Sequence, residues 1–282
     1  MTNDSATVIG LLHPGEMGAA VGRCLTGAGH RVLWASEARG PDTAARARDA
    51  GLIDVRTVRK LAAEAEVIVS VCPPHAALDV AWAVHGFTGL YVDANAIAPG
   101  TAREVGQLIA GSGGRYVDGG IIGPPPLTPG TTRLYLSGTD AGPVQALFAG
   151  TALEPRIAEG PDTAASALKM AYASWTKGSS ALLLTARALA RAEGVEDSLL
   201  AEWQLSQPHL ADQVSRAAQA AVSKVWRWVG EMEEIAACRA AAGLPDGFHQ
   251  AAAEVYRRCP RIPATTADDA TMAALGALTG AD

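Results

Sequence analysis

Lys169 is the first residue whose type and place could do chemistry. It lies in Ser166-Ala167-Leu168-Lys169-Met170-Ala171-Tyr172, early in a stretch that no turn signal interrupts before Gly178. Leu168, Tyr172, Trp175, Ser179, Leu182, Ala186 and Leu189 recur there at helical spacing and read as the buried stripe of a long helix. Lys169 is one step off that stripe, so its amine could face a cleft between domains. A lysine partly withdrawn from water holds its proton less tightly, and can take a proton from a hydroxyl or return one to a carbonyl. The alternative is a surface lysine with its stem along the helix and its head in water. Lys177 follows eight residues later, about 80° round the helix and roughly 12 Å along it. It could grip an anion, or be a solvated cation beside Gly178.

The second chemical stretch is His13-Pro14-Gly15-Glu16-Met17-Gly18. It follows an apolar run, Val8 to Leu12, of the kind a buried parallel strand shows. A helix opens after it, Gly27 and Gly29 stop that helix, and Arg31 to Trp34 begin a second strand. In such a strand–turn–helix unit Gly15 lets the backbone approach a phosphate, and Gly18 lets the helix pack on its strand. The helix N-terminus supplies unpaired N–H groups and the positive dipole end, which suit a pyrophosphate. His13 stands where the first glycine of the triplet is usual. These six residues are the candidate cofactor turn; the alternative is a tight strand-to-helix turn that holds no nucleotide.

At the end of the second strand, a carboxylate would accept a ribose 2′-hydroxyl and an arginine would accommodate a 2′-phosphate. Ser36 occupies that position, with Glu37 and Arg39 after it. Ser36 and Arg39 favour NADP, with NAD the alternative through Glu37; Arg39 can equally be a solvated loop charge, and Glu37 a solvated carboxylate. Val67 to Val71 form another apolar strand, stopped by Cys72 and Pro73 at the edge where ligands sit in such sheets. His75 there reads as a helix start. Strand 90–92 closes in Asp93-Ala94-Asn95, Pro99 opens a helix, Tyr116 to Gly120 lead into Ile121-Ile122-Gly123 and a proline-rich loop, and further strands are expected at 134–136 and 152–154 around a helix at 143–148.

Strand alternating with helix predicts an α/β, Rossmann-like doubly wound sheet over 1–160. Past Gly160 the text turns all-helical: 162–193, 197–205, 210–242, 248–258 and a last helix after Pro263. An all-α C-terminal domain over 161–282, for substrate and dimerisation, follows. The length of 282 residues suits two domains. A net charge of −6 argues against non-specific nucleic-acid binding. Met1 to Ser5 carry no basic region before an apolar run, so no secretory leader is expected, and no apolar run is long enough for a membrane span. Cys24, Cys72, Cys238 and Cys259 lack metal spacing and read as reduced thiols of a cytoplasmic protein; no metal is expected.

The chain resembles the β-hydroxyacid dehydrogenase superfamily, which includes 6-phosphogluconate dehydrogenase. The resemblance rests on Ile9-Gly10-Leu11-Leu12-His13-Pro14-Gly15-Glu16-Met17-Gly18, on Tyr91-Val92-Asp93-Ala94-Asn95 with Pro99, on Tyr116-Val117-Asp118-Gly119-Gly120 with Gly123, and on Leu168-Lys169-Met170. It implies that Lys169 is the general acid/base, that Asn95 lies against cofactor and substrate (or simply forms a turn), and that two subunits build the cleft of a homodimer. His209, Trp203, Trp226 or Trp228 would then reach a partner's substrate, or form core and interface. Two departures stand out. Ala173 replaces the asparagine four residues after the lysine, leaving Tyr172 as a possible donor. Ile122 replaces a carboxylate-binding serine, with Gly123 kept but Pro124 after it. The expected function is therefore NAD(P)-dependent hydride exchange at a hydroxyl or carbonyl carbon of a small, anionic substrate. Ile122, Gly123, Tyr172 and Lys177 would line its site. An imine reductase and a non-catalytic nucleotide sensor are the alternatives.

Overall fold

A computed structural model describes residues 6–262 and 266–280, with the side chains of 224–226 excepted. Met1 to Ser5, Pro263 and the Trp226 side chain, on which three of the expectations fall, lie outside the described residues. The chain divides into two compact units, Met1–Met170 and Ala171–Asp282.

The first unit is built on an eight-stranded sheet of β1 (Val8–Leu12), β2 (Arg31–Trp34), β3 (Ile53–Asp54), β4 (Val67–Ser70), β5 (Leu90–Asp93), β6 (Arg115–Ile122), β7 (Thr132–Ser137) and β8 (Leu153–Ile157). Their order is β3-β2-β1-β4-β5-β6-β7-β8. All neighbours are parallel except β6 and β7, which pair antiparallel. Strands 1 to 6 are joined through α1 (Glu16–Gly27), α2 (Pro41–Asp49), α3 (Val58–Glu64), α4 (Ala77–Trp82) and α5 (Pro99–Gly111), and α6 (Ala141–Leu147) links β7 to β8. This is the doubly wound arrangement that alternating strand and helix predicted.

Successive side chains of a strand point to opposite faces. Ile9, Leu11, Val67, Val69, Val92 and Val117 accordingly build one core layer with α1 and α6, while Leu12, Leu33, Ile68 and Tyr91 build the other with α3 and α5. Close packing needs glycine in places. A Cβ on Gly22 of α1 would meet Leu52 at 2.8 Å and Leu11 at 2.9 Å. Helix α3, capped by Thr57 accepting from the Lys60 N–H at 3.2 Å, and the two-residue β3 carry too few residues to show a period, so periodicity passed over both.

Helix α7 (Ala164–Ala192) begins in the first unit and continues into the second, where α8 (Glu196–Ser206), α9 (Leu210–Ala241), α10 (Gly247–Arg258) and α11 (Ala267–Thr279) follow. Helices α10 and α11 both pack on α9. Their core holds Val214, Ala218, Val222, Met232, Ile235, Tyr256 and Leu275.

The expected buried stripe of α7 is corrected here. Leu168, Tyr172, Trp175, Leu182 and Leu189 are exposed, Trp175 at 75% and Leu189 at 63%. The buried face is instead small: Ala165, Ala173, Ala181 and Ala188, with Met170 and Leu184. Periodicity reports which residues share a face of a helix, not whether that face meets its own chain. Alanine side chains admit close approach of another helix, so the small face turns inward. Among the described residues no helix is long and apolar enough to cross a membrane.

Candidate functional site

The register of the parallel strands sets Leu12, Ser70, Asp93 and Asp118 level with one another across β1, β4, β5 and β6. Immediately beyond that level, on one edge of the sheet, lie the His13 turn, Cys72 and Pro73, and Asn95. Two residues beyond it on β6 is Gly120, against which Lys169 packs. Most of the candidate site residues thus share the carboxyl edge of the sheet, the edge open α/β sheets use for ligands.

In the turn, His13 has φ 67°, a left-handed backbone that few residues other than glycine adopt. Its carbonyl accepts from the Gly15 N–H at 2.8 Å. A Cβ on Gly18 would lie 2.3 Å from that carbonyl, so only glycine lets α1 start this close to the turn. A Cβ on Gly15 would meet nothing within 4 Å. Gly15 is the N-cap of α1 and no side chain caps the helix, so its first N–H groups lack intrahelical partners. Open space beside uncapped N–H groups is what a phosphate requires. Pro14 is buried, Glu16 exposed and Met17 half-buried against the core.

His13 is partly buried, and its Nε2 lies 2.6 Å from Nη2 of Arg39. Burial, and then the charge of Arg39, lower its pKa to about 4. At neutral pH the ring is therefore uncharged. Arginine can only donate, so Nε2 accepts and Nδ1 carries the hydrogen. That Nδ1 is buried with no hydrogen-bond partner. Arg39 itself is exposed, in a turn where its N–H bonds the Ser36 carbonyl at 3.1 Å and Ala38 has φ 57°. Ser36 turns elsewhere: slight burial raises the Asp54 carboxyl, and hydrogen bonds from Arg56 and Ser36 outweigh it and hold it low. Ser36 thus acts on Asp54, while the Arg39 guanidinium contacts His13.

Cys72 and Asn95 tie neighbouring strand ends together. The Cys72 N–H donates to Asn95 Oδ1 at 2.5 Å, Asn95 Nδ2 donates to Ser70 Oγ at 3.1 Å, and the Asn95 N–H donates to Asp93 Oδ1 at 2.9 Å. Asn95 is 2% exposed. Its amide therefore holds the Cys72-Pro73 loop, and the expected direct ligand contact gives way to this internal one. Burial and the nearby Asp93 charge push the Cys72 thiol up to about 12, so it is no thiolate nucleophile.

Lys169 donates from Nζ to the Ile121 carbonyl at 2.7 Å. Its place is decided one turn earlier. Asp118, fully buried, accepts from the Ser166 N–H at 2.8 Å, from Ser166 Oγ at 2.5 Å and from Ser137 Oγ at 2.9 Å. Ser137 Oγ accepts from the Ala165 N–H at 2.9 Å. The first-turn N–H groups of α7 are thus satisfied by β6 and β7, with a carboxylate at the positive helix end. Burial raises the Asp118 pKa, though the Ser166 and Ser137 bonds oppose this. Gly120 completes the seat: its Cβ would lie 2.9 Å from the Ala165 carbonyl and 3.0 Å from Lys169 Cβ. The sequence reading passed over Asp118, Ser137 and Ser166 as a cluster. Its one visible signal was an aspartate before two glycines at a strand end.

Two family models match the chain. One, described as NADP oxidoreductase, coenzyme F420-dependent, covers 8–93; the other, a domain of unknown function (DUF1932), covers 190–259. No curated protein matches. Among solved structures, a conserved protein of unknown function described as similar to 3-hydroxyacid dehydrogenases is 25% identical, with 95% of this chain and 99% of that one covered and a TM-score of 0.67. Together these matches support a likeness to the β-hydroxyacid dehydrogenase-like oxidoreductases. The fold is shared with Mycobacterium tuberculosis 3-hydroxyisobutyrate dehydrogenase bound to L-serine (20% identity, 97% and 99% covered, TM-score 0.71). It is shared too with a reductive aminase from Aspergillus terreus bound to NADPH and ethyl-5-oxohexanoate (20%, 90% and 94%, 0.57).

Ile122 is 4% exposed and offers no side-chain donor. Gly123 follows at φ 129°, with no room for a Cβ beside the Thr131 carbonyl at 2.5 Å. Tyr172 is exposed and lies in the second unit. Lys177 is corrected as an anion grip. Its ammonium is paired with Glu231, lies 5.3 Å from the centre of the Trp228 ring, and its carbonyl accepts from Tyr256 Oη at 2.6 Å. Both side chains of that pair are mostly buried, and a buried lysine already neutralised by a carboxylate has little charge left for a ligand. His209 is exposed at the start of α9, and Trp203 is half-buried.

Proposed function

We propose that this oxidoreductase exchanges hydride between a nicotinamide cofactor, NADP in preference to NAD, and the hydroxyl or carbonyl carbon of a small anionic substrate. Lys169 would move the proton. One observation carries the reading: the Lys169 amine sits at the carboxyl edge of the same sheet as the uncapped glycine turn, on a helix start clamped by Asp118. From β1 to β6 there are three strand spacings, roughly 14 Å, a distance that a dinucleotide laid along the edge can cover.

The cofactor, when bound, supplies the hydride acceptor or donor. The chain's own part is to bind and to move a proton. The α1 N–H groups and the space at Gly15 receive the pyrophosphate, and Arg39 faces the anion at the adenosine end. The Ile121 carbonyl takes one of the three Lys169 N–H bonds and orients the amine. In the oxidising direction a neutral amine accepts the hydroxyl proton; in the reducing direction the ammonium returns it to the forming alkoxide.

Imine reduction is the second reading. It is favoured by the buried Ile122, which leaves the usual carboxylate grip without a side-chain donor. NADPH consumption against a panel of keto acids and cyclic imines separates the two, and binding without turnover on both sets leaves a nucleotide sensor. Lys169→Ala is expected to lower turnover at least ~10²-fold with cofactor affinity nearly unchanged; near-normal turnover would remove Lys169 from the mechanism. We infer also that the protein is a homodimer closed over the exposed apolar face of α7, since contiguous exposed apolar residues on one helix face mark an interface.

A further inference from the structure

We propose that His13 is a positioning residue for cofactor choice: its imidazole, standing where a glycine is usual, holds the Arg39 guanidinium ready for the 2′-phosphate of NADP. The proposal rests on the cofactor reading above and adds to it the residue that orders the arginine.

Three observations carry it. First, His13 adopts φ 67°, which strains a histidine and would cost glycine nothing. Second, its Nδ1 is buried without a partner, a further penalty. Against both stands one side-chain bond, the 2.6 Å contact from Arg39 to Nε2. Third, the partner that holds Arg39 is a ring, not a carboxylate. Among the described residues the guanidinium has no ion-pair partner, so its positive charge is kept for a ligand. Arg39 is also exposed, on the loop after β2 where the ribose end of a dinucleotide lies in such sheets. A free arginine there would lose much rotamer freedom on gripping a phosphate. An arginine already ordered by His13 loses less.

The experiment uses the full chain and four forms: wild type, His13→Gly, Arg39→Ala and the double variant. Dissociation constants for NADP+ and NAD+ are measured for each by titration calorimetry. Glycine at φ 67° relieves backbone strain, so His13→Gly is expected to fold. It should weaken NADP+ binding about 3- to 10-fold, the worth of one pre-ordered long side chain, and change NAD+ binding less than about twofold. In the Arg39→Ala background His13→Gly should have no further effect on NADP+. Equal weakening of both cofactors, an unchanged NADP+ constant, or the same loss with and without Arg39 would each overturn the role of His13. A wild type that binds NAD+ as tightly as NADP+ overturns the cofactor reading, and the proposal with it. A wild type that prefers NADP+ but is indifferent to His13→Gly overturns the proposal alone.

Discussion

Replacing Asp118 by alanine and by asparagine should separate the bonds it accepts from the charge it carries. Asp118 takes three hydrogen bonds in a fully buried site, two at Oδ2 from the Ser166 N–H and Ser137 Oγ and one at Oδ1 from Ser166 Oγ. Asparagine can keep its amide oxygen where Oδ2 is, so the Ser166 N–H, which cannot turn away, still has an acceptor. Its NH2 then faces Ser166 Oγ, and a hydroxyl can rotate to accept. Three bonds to a charged group become ordinary ones, a loss of about 1 kcal/mol each. Removing a buried charge offsets part of that, as the raised Asp118 pKa implies. The net cost is on the order of 1–1.5 kcal/mol. Alanine instead strands the Ser166 N–H and leaves the Ser166 hydroxyl without its acceptor, while Ser137 Oγ keeps the Asp162 carbonyl at 3.1 Å; at about 1–3 kcal/mol for each of the two groups left unmet, the cost is about 4 kcal/mol together. Hydrogen exchange of the amides at 164–170 reads this locally, without requiring the two units to unfold together. At 1.36 kcal/mol per tenfold, Asp118→Ala should reduce protection there roughly 10³-fold and Asp118→Asn about 10-fold. Since Lys169 sits one turn on, turnover should fall in the same order. Equal loss of protection in the two variants would show that the charge, not the bond pattern, seats the helix, and would refute the argument.

Two other outcomes follow from the geometry. The His13 pKa is lowered from 6.5 to about 4 in the fold, so between those values the unfolded chain binds more protons and stability rises with pH. The stabilisation is complete above about pH 6.5 and lost as pH falls toward about 4. Thermal midpoints across this range should show the slope, and His13→Gly should make it shallower; the remainder includes His249, whose pKa burial also lowers. For the dimer, sedimentation should give twice the chain mass of 28.9 kDa, and the Trp175→Glu, Leu189→Glu pair should give the single-chain mass with helix content retained. A wild type at 28.9 kDa would discard the α7 interface.

Local pattern was enough for much of this protein. The run from Val8 to Leu12, the glycines at 15 and 18, and the helix stop at Gly27 and Gly29 each act within a few residues, so their types announce strand, turn and helix before any fold is known. The alternation of such units carries the doubly wound sheet, and the all-helical text after Gly160 carries α7 to α11, although the two compact units divide inside α7, after Met170. Lys169 was legible as a candidate because a family motif surrounds it. What was not legible depends on partners distant in sequence. The Asp118–Ser137–Ser166 clamp joins residues up to 48 positions apart, and the 2.6 Å contact that commits His13 to Arg39 spans 26. Lys177 looked available until α9 brought Glu231 to it. The α7 stripe had the correct period and the opposite burial, because helical spacing says which side chains point the same way, and only packing decides which of those directions is inside.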